Sequence, residues 1–123
     1  MSNILAIFIG GGFGCLARYG ISILLRMYSF NFPFATIIVN IAGSLILGFI
    51  AALFWKQMPL HTTLKLAITV GFCGGLTTFS TFSWETFEMI KNGELLLAFF
   101  YILISVIACT LAIALGVFIS KYV

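Results

Sequence analysis

Four long apolar runs with short polar breaks between them leave this chain little choice of fold. They occupy roughly residues 4 to 25, 34 to 55, 65 to 89 and 95 to 119. Each is long enough to cross a bilayer as a helix, which takes about 20 residues. Only six basic and three acidic side chains occur among 123 residues, 7% in all, where a soluble domain carries about 25%. A water-exposed surface cannot be built from such a chain. The expected fold is an all-α membrane protein of four transmembrane helices, one domain over residues 1–123. The spans use up the length, which excludes a separate catalytic, nucleotide-binding or nucleic-acid-binding domain. The scattered basic residues also make no patch for nucleic acid.

The breaks are short. Arg26 to Pro33 joins the first two runs, with Pro33 suited to the start of the second helix because the residue before a proline is pushed out of helical geometry. Lys56 to Leu64 joins the next pair, and Asn92, Gly93 and Glu94 precede the last run, where a polar N-cap and an acidic first-turn residue are expected. Nothing before Ile4 is basic and no small-residue cleavage site follows, so the first run is expected to be a mature helix. Lys and Arg in short loops set orientation. Here Lys56, Lys65 and Lys121 on the N-terminal side face Arg26 and Lys91, with Arg18 nearer the second side. So slight a bias allows insertion both ways up, and opposite copies could pair as an antiparallel, dual-topology homodimer. One four-helix chain also has little interior for a polar path, which favours a dimer independently.

Polar groups at membrane depth are costly and usually face a protein interior or a water-filled path. The second run carries Thr36, Asn40, Ser44, Gly48 and Ala52 at intervals of four, one small and polar helix face. Asn40 is either a hydrogen-bond clasp between helices or a donor to a passing solute. The fourth run repeats the spacing with Tyr101, Ser105 and Cys109, then Ala112 and Gly116; the first does so with Gly10, Gly14 and Arg18. Arg18 is either an anchor at the membrane edge or an attractor of anions. Cys15, Cys73 and Cys109 are odd in number and lack a C-x-x-C pair, so neither a disulfide framework nor a metal site is expected of them.

The third run differs in kind, reading GFCGGLTTFSTFSWE from Gly71 to Glu85. Paired glycines followed by paired threonines weaken a helix through backbone entropy and β-branching. A break near Gly74 to Thr78 is one reading; a continuous helix packed closely at its glycines is the other. Carbonyls freed by a break at membrane depth can coordinate a cation. Farther on, Phe79 and Phe82 share a helix face, with Ser80 and Ser83 alongside. Aromatic edges carry positive potential and would favour an anion, with the Asn40 amide and serine hydroxyls as neutral donors. Neutral donors bind weakly enough to release what passes. The same phenylalanines could equally be packing residues.

Three stretches together resemble the small fluoride channels of the Fluc, or CrcB, family: GGFGCLARY from Gly11, TIIVNIAGS from Thr36, and above all GFCGGLTTFSTFS from Gly71, with Glu85 beyond it. The resemblance covers all four runs. It implies a dual-topology antiparallel homodimer in the cell inner or plasma membrane, with two pores that export fluoride passively and so protect the cell. It implies a third helix broken near its middle, with Phe79 and Phe82 lining each pore, Asn40 as pore amide, and Ser80 and Ser83 as neighbouring hydroxyls. Backbone carbonyls of Gly74 and Thr77 would hold a central structural Na+. Tyr101 and Ser105 would lie on a polar track along the fourth helix, with Cys109 where another hydroxyl is expected. Arg18 and Glu85 match family positions.

The main alternative is a small four-helix multidrug or metabolite exporter. Proton-coupled antiport needs a buried carboxylate, and the first, second and fourth runs have none. Glu85 and Glu88 cluster near the end of the third, where a solvated helix end with Lys91 beside Glu88 is the plain account. A non-transporting scaffold would explain the small-residue stripes but not the polarity of Asn40, Ser80 and Ser83. No enzyme is expected, since the only histidine, His61, has no Cys, Asp or Glu near it in sequence.

Overall fold

The computed structural model of the chain describes residues 2–27, 32–55 and 61–123. The expected connection around Lys56 and Pro59 lies outside the described residues. Among the described residues, four helical spans are long and apolar enough to cross a membrane. The first is α1, Ser2–Arg26, and the second is α2, Phe34–Trp55, which follows directly on Pro33. The third is composite. It begins with α3, Thr62–Leu66, passes into a π-helical stretch, Ala67–Cys73, and narrows again to α4, Gly74–Leu76. Thr77 (φ −80°, ψ 158°) and Thr78 (φ −152°, ψ 116°) are extended, and α5 runs from Phe79 to Lys91. The fourth span is α6, Leu95–Ile119, closed by a 3-10 turn at Ser120–Tyr122.

The spans form two closely packed pairs: α1 against the π-helical stretch and α4, and α2 against α6. Both pairs meet backbone to backbone. Gly14 sits against the Phe72 carbonyl, and a Cβ there would come within 2.8 Å of the Leu76 amide nitrogen; Gly10 faces Ala67 in the same way. In the other pair Gly48 lies on the backbone of Ile113, while Gly116 lies on that of Leu45 and Phe49. In a bilayer, where apolar side chains gain nothing by leaving lipid, such close approach supplies the van der Waals contact that holds helices together. The small stripes of α1, α2 and α6 therefore face inward. Large apolar side chains such as Phe8, Leu16, Leu96 and Leu111 stay on the outside. A compact core of Ile37, Met89, Ala98 and Tyr101 joins α2, α5 and α6 beside the partly buried Phe82.

One sequence expectation is corrected at the last break. Asn92 to Glu94 do not cap α6 through a side chain, and no acidic residue stands in its first turn. They end α5 instead. Gly93 adopts φ 82°, the Gly93 amide donates to the Ile90 carbonyl at 3.0 Å, and the Glu94 amide to the Met89 carbonyl at 2.8 Å. This paired arrangement satisfies carbonyls that a helix end leaves open, and a left-handed residue is what it needs at that place. The chain reverses there because Gly93 tolerates positive φ.

Candidate functional site

The two extended threonines organise the centre of the molecule. At the end of α4 the Thr77 amide and hydroxyl both donate to the Cys73 carbonyl, each at 2.9 Å. The Thr78 amide then turns to α2, donating to Asn40 Oδ1 at 2.7 Å, and the Thr78 carbonyl accepts from Asn40 Nδ2 at 3.2 Å. The Asn40 amide thus pairs with a piece of extended backbone as a neighbouring strand would. Thr78 also starts the next helix, its Oγ1 accepting from the Thr81 amide at 3.2 Å, an N-cap of the usual kind. Irregular backbone at membrane depth survives only when protein satisfies it, and here one side chain on α2 does so.

Beside this junction lies a groove of about 380 Å³. Asn40, Gly74, Thr77, Phe79, Phe82 and Ser105 all line it. The Phe79 and Phe82 rings are 5.7 Å apart between centroids and tilted by 40°. Phe79 is 79% exposed at the groove mouth. The Ser105 hydroxyl is buried and has no hydrogen-bond partner among the described residues. Such an orphan is costly in an apolar setting, unless something in the groove accepts from it. Among the described residues one Asn40 N–H beyond the Thr78 bond is likewise left over, since an amide nitrogen carries two.

Other expected site residues stand elsewhere. Ser80 and Ser83 are exposed on α5 and do not line the groove. Helical geometry turns Ser80 about 100° from Phe79, away from the face that Phe82 continues. Tyr101 is fully buried behind the groove, its ring 5.1 Å from that of Phe82. Arg18 lines a separate pocket of about 200 Å³ with Ser22, Thr36 and Thr81, its guanidinium 3.7 Å from Cys15 Sγ.

Glu85 is the residue whose surroundings sequence reasoning missed. It is half-buried, not a solvated helix end. Thr36 donates to its Oε1 at 2.8 Å and Tyr101 to its Oε2 at 2.6 Å, so one carboxylate joins α2, α5 and α6. It also borders a pocket of about 300 Å³ that contains Arg26 and Ser22. Among the described residues, no three His, Cys, Asp or Glu side chains gather as a metal site. What the groove offers is weak: two aromatic rings and neutral N–H and O–H donors, with no Lys, Arg or His among the described residues of its lining.

The model of the family described as "CrcB-like protein, Camphor Resistance (CrcB)" matches residues 5–117. A protein of Yersinia pseudotuberculosis serotype I named fluoride-specific ion channel FluC 1 is 46% identical over 96% of this chain and 92% of its own. Proteins named fluoride-specific ion channel FluC from Pyrococcus abyssi and Geobacter sp. (strain M21) are 40% and 38% identical, each over 98% of both chains. With a family match over nearly its whole length and relatives of this closeness, the chain belongs to the CrcB family.

Proposed function

We infer that this chain is a fluoride-specific ion channel and not an enzyme. One observation carries the reading beyond the names of its relatives: Asn40, Phe79, Phe82 and Ser105, whose hydroxyl has no partner among the described residues, line a single groove. A small anion moving along it meets aromatic edges, then neutral donors, and is held by none. Conduction requires such weak binding. Fluoride accepts hydrogen bonds strongly, so an orphan hydroxyl and a spare amide N–H recompense part of its lost hydration.

We further propose that two copies pair antiparallel in the cell membrane, giving two passive export pores. The nearly balanced basic residues support this, as does the open mouth of the groove, where Phe79 lies bare on a single copy. A central Na+ would be held by the Gly74 and Thr77 carbonyls. The Thr78 amide, which would close a helical bond onto the Gly74 carbonyl, goes to Asn40 instead, and Gly74 is exposed with open space around it. Neutral oxygens at a helical C-terminal end suit a hard monovalent cation. When bound, the ion would supply positive charge between the copies. Ser80, Ser83, Tyr101, Arg18 and Glu85 serve in this reading as surroundings of the path, outside the groove itself.

Reconstitution in liposomes tests the proposal. Fluoride efflux is expected to be fast, far above chloride efflux, and independent of a proton gradient. Strict dependence on a pH gradient would replace the channel by a proton-coupled exporter.

A further inference from the structure

Asn40 is not the only residue of α2 that meets the extended threonines. Gly43, three positions along and so a neighbour of Asn40 on the helix surface, is buried and lies against Thr77. A Cβ built on Gly43 would fall on the Thr77 methyl carbon, closer than any permitted contact. Yet it would stand 3.7 Å from both Thr77 Cβ and the Cys73 carbonyl oxygen, an ordinary van der Waals separation. The missing side chain is therefore a seat one methyl group wide. α2 packs against the π-helical stretch and α4 along this line, and Gly43 and Thr77 both border the groove beside Phe79.

We propose that Gly43 is a positioning residue for the anion path: its bare Cα receives the Thr77 methyl and so fixes where Thr77 stands in the groove wall. The methyl has no easy way round. Thr77 Oγ1 donates to the Cys73 carbonyl at 2.9 Å, so turning this β-branched side chain to carry the methyl elsewhere gives up that bond. Nor can α2 retreat freely, because Gly48 rests on the backbone of Ile113, and Gly116 on that of Leu45 and Phe49. An atom added at Gly43 therefore displaces Thr77. The next residue, Thr78, is tied back to the same helix by both Asn40 bonds, so the junction would be pushed at one threonine and held at its neighbour. Asn40 and Gly43 thus receive the two threonines together, with a polar clasp for the Thr78 backbone and an apolar seat for the Thr77 side chain.

The seat stands on packing alone, whereas its effect on flux rests on the channel reading above, so the experiment reads the two separately. The full chain and its variants are compared by fluoride efflux from liposomes and by thermal unfolding in detergent. Gly43→Ala should lower fluoride efflux by roughly tenfold or more, as overpacking of a rigid contact does. Thr77→Ser removes the contested methyl and keeps the hydroxyl for the Cys73 carbonyl. In the double variant the alanine supplies the same methyl volume from α2, and both efflux and unfolding should return most of the way to native. Thr77→Val keeps a methyl at the seat and should not rescue Gly43→Ala. Rescue by serine but not by valine is a result that general loosening of the helices would not produce. If Gly43→Ala alone fails to fold, the double variant with serine should still fold and conduct. Effects of Gly43→Ala and Thr77→Ser that simply multiply, within about twofold as at independent sites, would overturn the seat, as would equal rescue by valine. Rescue of unfolding without rescue of efflux would keep the contact and overturn its role in the path. A native chain that carries no fluoride would refute the channel reading and the role in flux together, while the unfolding comparison would still decide the seat.

Discussion

Replacing Asn40 by Asp exchanges one atom of the junction and reverses one hydrogen bond. In the native chain Oδ1 accepts from the Thr78 amide at 2.7 Å while Nδ2 donates to the Thr78 carbonyl at 3.2 Å. An ionised aspartate keeps the first bond but turns an oxygen, with its share of a full charge, towards the carbonyl. Loss of a hydrogen bond costs about 0.5–1.5 kcal/mol, and an unsatisfied buried carbonyl about 1–3 kcal/mol more. The junction should therefore weaken by about 1.5–4.5 kcal/mol, before counting the burial of charge. A protonated aspartic acid has a donor again and can restore both bonds. Asn40→Asp should thus conduct poorly at neutral pH and recover on acidification, while the native chain changes little. Fluoride efflux from liposomes across a pH series, paired with thermal unfolding in detergent, reads both effects. Asn40→Leu, of similar volume and without either bond, should be impaired at every pH. If Asn40→Asp conducts normally at neutral pH, or Asn40→Leu is undisturbed, the paired bonds to Thr78 do not hold the path in shape.

Phe79→Ile and Phe82→Ile should each sharply reduce fluoride flux while the chain still folds, because an aliphatic side chain fills the space without a positive edge; unchanged flux in both would remove the rings from the path. Tyr101→Phe keeps the ring against Phe82 but deletes the bond to Glu85, and should lower thermal stability by about 1.5–3 kcal/mol, the usual worth of a bond to a charged group. Gly14→Ala should impair folding or assembly, since its Cβ meets the backbone of Phe72 and Leu76, whereas Gly12→Ala, with open space around it, should be neutral; size-exclusion profiles in detergent distinguish the two.

The spans were legible because an unbroken apolar run states its own length, and Leu95–Ile119 begins and ends where hydropathy places it. Inward faces were legible from the four-residue spacing of small residues on α1, α2 and α6. Local events around the glycines were harder to place. Gly74 and Gly75 remain helical, because Gly75 is used for close approach to Gly11 and Cys15, and the extended residues are the threonines just beyond. Propensity weakens a helix over a region; the exact residues that leave it depend on which neighbour can accept their hydrogen bonds. That neighbour, Asn40, lies 38 positions away. Glu85 shows the same limit, since its hydroxyl partners are 49 and 16 residues distant and sequence proximity offered only Glu88 and Lys91. Thr36 could have been singled out, as it heads the polar stripe that contains Asn40.

The glycine seams divide the labour of tolerance within the molecule. Where backbone rests on backbone, no rotamer can adjust, so any added atom must displace a whole helix. Such contacts act as fixed gauge blocks, setting the α1 to π-helix spacing and the α2 to α6 spacing independently of side-chain choice. From the α2–α6 block, the polar connections seen here run through Asn40 to Thr78, just beyond α4, and through Thr36 and Tyr101 to Glu85 on α5. The aperture beside Phe79 is thereby calibrated by hydrogen-bond lengths, which vary by tenths of an ångström, while lipid-facing positions remain free to drift through any apolar residue without altering the bore.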